Sequence, residues 1–312
     1  MRRAQTIGFV LAGGLLVAGS AVLWTAPEWL IRSLARWYPD CLYHVPTQEP
    51  LVALTIDDGP DPASTPLILD ELRRQNARAT FFLITDRVRG QEPVMRRLVA
   101  EGHELGNHFT QDRPSIGLSP GAFEADLLRA HRELAPWARL AWARPASGWY
   151  SQAMIRVMQR HGYRCAMGSV YPFDATIPSS SWATRYILRN ARPGAILILH
   201  DAGARGRRTA RVLAEVLPEL RRRGYRVVSL SELVAAASPA HSADRPEGSE
   251  EGGDLGFRIT GGDLWDYRQI GYGPSGLHGQ MATFRARGGR LAPPLVRIAT
   301  NLLPWSRNRG DR

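Results

Sequence analysis

Between Leu51 and Ala237, short apolar runs alternate with stretches whose apolar residues recur at helical spacing. Leu51–Ile56 is rich in β-formers and ends in the turn Asp57-Asp58-Gly59-Pro60, so it reads as a strand. Pro66 opens a helix that runs to Arg74, and Ala79–Ile84 is the next strand. Helices follow at Pro93–Glu101 and Pro120–Leu134, the second carrying Phe123, Leu127, Ala130 and Leu134 on one face. Ala141–Arg144, Tyr163–Gly168 and Ala195–Leu199 read as further buried strands. The last unit is a helix with Val212, Val216 and Leu220 aligned, then the strand Arg226–Leu230. This alternation predicts an α/β fold whose parallel sheet closes, or nearly closes, into a (β/α) barrel. Such folds gather their chemistry at the carboxyl ends of strands. Asp57-Asp58, Arg144 and His200-Asp201 each directly follow a strand-like run.

The pattern changes on either side. Met1-Arg2-Arg3 precedes an uncharged run from Ile7 to Trp24, long enough to span or nearly span a bilayer. Arg2 and Arg3 favour the cytoplasmic side, which sends the remainder outward to the periplasm or cell envelope. A cleaved signal peptide is the rival reading, because Ala18-Gly19-Ser20 resembles a cleavage site. The apolar run continues past that point and favours an uncleaved transmembrane anchor. The expected organisation is an anchor in residues 1–28, a juxtamembrane segment in 29–50, the α/β domain in 51–237 and an irregular tail in 238–312. Within that tail Ser238–Gly253 reads as a disordered linker and Leu291–Trp305 as a short amphipathic helix.

Composition narrows the partners. Apolar residues make up 44% and charged residues 22% of the 312, as in an ordinary globular protein. The formal charge of +11 invites a nucleic-acid partner. All 40 basic residues are arginine, however, spread along the whole chain without the clustered, aromatic-interleaved patch such a partner needs. No nucleic acid is expected. Cys41 and Cys165 are compatible with one disulfide outside the cytoplasm or with two buried thiols.

Metal-assisted amide hydrolysis needs ligands that leave an open coordination position, a base for water and an acid for the departing amine. Asp57 and Asp58 end a strand, where successive side chains point in different directions, so one can bind a metal while its neighbour addresses water. His108 and Asp112 are four apart, which puts them on one face of a helical or turn-like stretch. His200 follows an apolar strand, whereas His131 and His161 read as surface or packing residues and His103 as support for the His108 loop.

Leu54-Thr55-Ile56-Asp57-Asp58-Gly59-Pro60 resembles the first motif of the polysaccharide deacetylase (NodB-homology, carbohydrate esterase 4) family. Gly102-His103-Glu104-Leu105-Gly106-Asn107-His108 is similar to the lead-in of its second motif. Arg144-Pro145 with Gly148-Trp149 resembles the third, Asp174 the fourth and Ile198-Leu199-His200-Asp201 the fifth. The resemblance covers about residues 51–233. It implies the family's distorted (β/α) barrel and a hydrolase that removes acetyl groups from N-acetylglucosamine-containing glycans. It further implies Asp57 as general base, Arg144 as its charge partner, His200 as general acid oriented by Asp174, and a divalent metal, zinc in this family, on Asp58 and His108. A backbone N–H near Ala146–Ser147 would complete an oxyanion site.

Two departures stand out. Where the family has a second histidine, this chain has Asp112. Aspartate is a competent zinc ligand, so Asp58, His108 and Asp112 can form a triad; the bland alternative is a loop residue and an incomplete site. The third motif also inserts Ala146-Ser147-Gly148 before Trp149, which either lines a sugar groove or packs in the core. A silent glycan-binding protein with the same fold is the alternative function.

Overall fold

A computed structural model describes residues 28–237. The expected anchor at Ile7–Trp24, the linker Ser238–Gly253 and the helix Leu291–Trp305 lie outside the described residues. Among those described, no helix is long and apolar enough to cross a membrane.

The described strands form one sheet in which every ladder is parallel. They are β1 (Cys41–Leu42), β2 (Leu51–Asp57), β3 (Thr80–Leu83), β4 (Glu104–Asn107), β5 (Trp142–Ala143), β6 (Arg164–Ala166), β7 (Ile196–His200) and β8 (Arg226–Val228). Their order is β1-β6-β5-β4-β3-β2-β7, with β8 pairing the start of β2. The sheet curls until its ends approach, joined by isolated bridges between His44 and Ala195 and between Val170 and Leu197. Among the described residues only isolated bridges and no ladder cross that seam, so the barrel expected to close or nearly close is a curled half-barrel.

Helices α1 (Glu28–Trp37), α2 (Thr65–Arg74), α3 (Glu92–Ala100), α4 (Pro120–Leu134), α5 (Gln152–Arg160), α6 (Ser180–Asn190), α7 (Gly203–Arg222) and α8 (Leu230–Ala236) fill the connections. Every residue of β2 is buried, because both faces of this strand are covered. Side-chain alternation divides it. Val52, Leu54 and Ile56 pack outward into a cluster with Ile68 and Leu72 of α2 and Val212, Val216 and Leu220 of α7. Ala53 faces into the curl with Phe82, Trp142, Ala166 and Ile196, and Leu230 and Leu233 of α8 belong to the same cluster. Thr55 and Asp57 share Ala53's face, so the parity of one strand carries Asp57 to the mouth of the curl.

Among the elements that the apolar pattern did not mark, β4, β1 and α1 have a plain physical reason. β4 is the polar run Glu-Leu-Gly-Asn, held by its ladder to β3. A Cβ at Gly106 would sit 2.5 Å from the Phe82 ring, so only glycine lets β4 lie under that ring. β1 has two residues and α1 is short, yet Ile31, Tyr38, Cys41 and Tyr43 join a core cluster with Phe123 of α4 and Met158 of α5.

Candidate active site

Four strands deliver their terminal residues to one rim. Asp57 of β2 sits in register with Phe82 of β3 on one side and His200 of β7 on the other. Leu83 of β3 pairs with Asn107, after which His108 follows, and Asn107 pairs with Ala143, after which Arg144 follows. Register alone thus brings Asp57, His108, Arg144 and His200 together.

Arg144 is buried beneath this rim and satisfied on every side. Its Nε donates to the Ala166 carbonyl at 2.9 Å and its Nη2 to the Met167 carbonyl at 3.0 Å. Nη1 donates to Thr55 Oγ1 at 2.9 Å and to Asp57 Oδ1 at 2.5 Å. The guanidinium carbon also lies 4.1 Å from the centre of the Phe82 ring. A buried charge so completely paired holds its partner firmly. The other oxygen of Asp57, Oδ2, lies 4.0 Å from His108 Nε2.

Asp58 takes a different course because its φ is 72°, a left-handed conformation uncommon outside glycine. The chain turns sharply there and continues through a cis Gly59–Pro60 peptide bond. The Asp58 carboxylate comes within 3.5 Å of His108 Nε2. Burial pushes the Asp58 pKa up, but the hydrogen bond and charge of His108, with the charges of His200 and Arg205, outweigh it and hold the carboxyl below its ordinary range. His108 Nδ1 lies 2.7 Å from the Arg144 carbonyl oxygen, which can only accept, so Nδ1 carries a proton and Nε2 faces the carboxylates.

His200 stands beside Asp57 at the end of the adjoining strand. Its backbone N–H donates to Asp174 Oδ2 at 2.9 Å, and its Nδ1 lies 3.0 Å from Asp174 Oδ1. Burial lowers the imidazole pKa, but Asp174, through charge and hydrogen bond, and then Asp57 and Asp58 outweigh it, raising the pKa to about 9. The Tyr171 ring meets His200 edge-on at 5.8 Å, and Thr209 of α7 donates to the His200 carbonyl at 2.6 Å. Behind them the buried Asp201 clasps two loops. It accepts from Ser64 at 2.5 Å and from Thr65, while its own N–H donates to the Asp57 carbonyl at 2.8 Å.

Asp112 lies apart from this cluster. Its side chain is 39% exposed and meets Arg87 and Arg205, each at 3.5 Å. Among the described residues no three His, Cys, Asp or Glu side chains gather as a metal-holding group. The donor chemistry of Asp58 and His108 suits a divalent cation: one ionised carboxylate beside an imidazole whose tautomer is preset by a carbonyl, as metal-bound histidines usually are. Asp112 is not drawn to that pair; Arg205 stands between, 2.9 Å from Asp58 Oδ2. Neither Arg205 nor Arg87 was singled out in the sequence, since one arginine among 40 carries no signal. Thr55 and Tyr171 were missed too, although each lies within three residues of a motif carboxylate. The turn Ala146–Gly148 follows Arg144-Pro145, with Ser147 at φ 63°, and Trp149 beside it is half-buried. His103 is buried with Nδ1 accepting from the Ala79 N–H at 3.3 Å, a supporting place in the fold.

Comparison with known proteins gives this rim a context. Residues 44–166 match the polysaccharide deacetylase family model. The peptidoglycan-N-acetylglucosamine deacetylase of Bacillus cereus is 35% identical over 195 residues, which is 62% of this chain and 92% of that protein. A chitooligosaccharide deacetylase of Bradyrhizobium is 34% identical over 197 residues, 58% of this chain and 90% of its own. The solved structure of a mutant of a carbohydrate esterase 4 pseudoenzyme, with restored enzymatic activity, superposes with a TM-score of 0.58 at 26% identity, covering 62% of this chain and 71% of that one. The motifs recognised along the sequence meet at one strand-end rim, and the similarity runs through nearly the full length of both bacterial relatives; this chain belongs to the polysaccharide deacetylase family.

Proposed function

We propose that the chain is a glycan N-deacetylase that hydrolyses the acetamide of N-acetylglucosamine-containing material, either envelope peptidoglycan or chitooligosaccharide. The observation that carries this reading is the juxtaposition, on adjoining strand ends, of the Arg144-held Asp57 and the Asp174-held His200. A divalent ion held by Asp58 and His108, zinc by family resemblance, would supply Lewis-acid polarisation of the acetyl carbonyl and a more acidic water.

The chain's own residues then perform the proton transfers. Arg144 holds Asp57 in place through Oδ1, leaving Oδ2 on the side of His108. Asp57 Oδ2 takes the proton of the attacking water as its oxygen bonds to the acetyl carbon. His200, held in place through Nδ1, gives its Nε2 proton to the amide nitrogen as the carbon–nitrogen bond breaks. Acetate and a free sugar amine result. Tyr171 covers one edge of the imidazole and restricts its movement.

Full-length chain supplied with a divalent cation is expected to release acetate from N-acetylglucosamine oligomers. Asp57→Asn and His200→Asn should each lower the rate by roughly 100-fold or more. Retention of full rate by both variants would sink the assignment. A second reading, a silent glycan-binding protein, is favoured by one observation, the engagement of Asp112 with arginines instead of with His108. Oligomer binding without acetate release at any added metal would support it.

We further propose that the chain is anchored outside the cytoplasm by the apolar run Ile7–Trp24. Trp29 and Trp37 of the adjoining α1, each 59% exposed, and the nearby Arg32 and Arg36 suit a lipid interface. Recovery of the intact chain in a salt-washed membrane fraction would bear this out; a soluble, shortened chain would point to cleavage.

A further inference from the structure

Asp58 is contacted from two directions. His108 Nε2 lies 3.5 Å from Oδ1, and Arg205 Nη1 lies 2.9 Å from Oδ2. The other guanidinium nitrogen of Arg205 lies 3.5 Å from Asp112 Oδ2, so one arginine ties the Asp58 carboxylate of the first motif to the aspartate that departs from the second. Arg87 braces the same arrangement, donating to the Asp58 carbonyl and lying 3.5 Å from Asp112.

The fold aims Arg205 at this place. It stands in the first turn of α7, whose Gly203 N–H donates to Asp61 Oδ2 at 3.0 Å. Its neighbour Gly206 packs so tightly on Asp201 and Ser64 that no Cβ fits, which fixes the rotation of the turn. The guanidinium is 30% exposed and has a route outward to solvent.

We propose that Arg205 is an internal counter-cation that competes with the divalent ion for Asp58 while holding Asp112 away from His108, so that metal uptake requires the guanidinium to swing out. The proposal rests on the metal-dependent reading above. Two cations cannot both neutralise one carboxylate without repelling each other at close range. An arrangement closed ten times out of eleven would weaken apparent metal affinity by roughly tenfold, the fraction of chains competent to bind. The aspartate at position 112 then has a use that a histidine would not serve: it anchors the arginine.

The test is cobalt binding. Full-length chain, stripped by chelation, is titrated with Co2+ by calorimetry and by visible absorption, alongside Arg205→Gln and Arg205→Ala. Metal-free thermal unfolding confirms that each variant is folded, and two variants guard against the failure of either. Both should bind Co2+ roughly tenfold more tightly than the parent chain. Unchanged or weaker binding by folded variants, with the parent binding normally, would overturn the proposal alone. If no chain, the parent included, takes up cobalt, zinc or manganese, the metal-dependent reading falls and the proposal falls with it.

Discussion

Asp57 and Asp58 are neighbours in sequence, yet a single backbone angle gives them different partners. Asp57 is still in the strand and meets Arg144; Asp58, at φ 72°, turns to His108 and Arg205. Their adjacency, and the places of His108, Arg144, Asp174 and His200, were legible because each follows a strand-like run or matches a motif. The arginine at Asp58 was not legible, since residues 58 and 205 lie far apart in sequence and form their ion pair only in the folded chain. His200 gives a residue-scale prediction. In metal-free chain its imidazole should titrate near 9, because Asp174 and the two cleft carboxylates outweigh the effect of burial. The unfolded value is about 6.5, so protonated His200 stabilises the fold fully below about that pH, and the contribution is lost as pH rises through the folded value. Asp174→Asn should move the titration down and narrow that window. NMR of the imidazole checks this, and a native titration at or below the ordinary value would contradict it.

At the level of elements, the apolar pattern found the strands that are buried on both faces and missed those defined by contact. β2 was readable from its continuous run, whereas β4 exists because Gly106 fits beneath Phe82 and its ladder holds a polar sequence. The departure at Asp112 could be named from sequence, but its outcome depends on α7, an element ninety residues away. The seating of that helix carries a prediction. Gly206→Ala would press a methyl group against Asp201 and Ser64, costing about 1–3 kcal/mol of stability by urea unfolding. It should also reduce acetate release, since Thr209 of this helix holds the His200 carbonyl in place. Unaltered stability and rate would show that the first turn is not held as described.

For the molecule as a whole, periodicity was enough to indicate a parallel sheet covered by helices, because β–α alternation allows few other arrangements, but it overstated how far the sheet closes. The contribution of residues 28–50 was hidden, as α1 and β1 show their role only through packing against α4 and α5 and pairing with β6. The central claim is that this rim cleaves an acetamide. The most direct test is the product balance when full-length chain, supplied with a divalent cation, acts on N-acetylglucosamine oligomers. Acetate and free amine appearing in equal amounts, with oligomer length unchanged and both lost on chelation, is the predicted result. Acetate release no faster than without the chain, across the metals tried, or shortened oligomers without free amine, would contradict it.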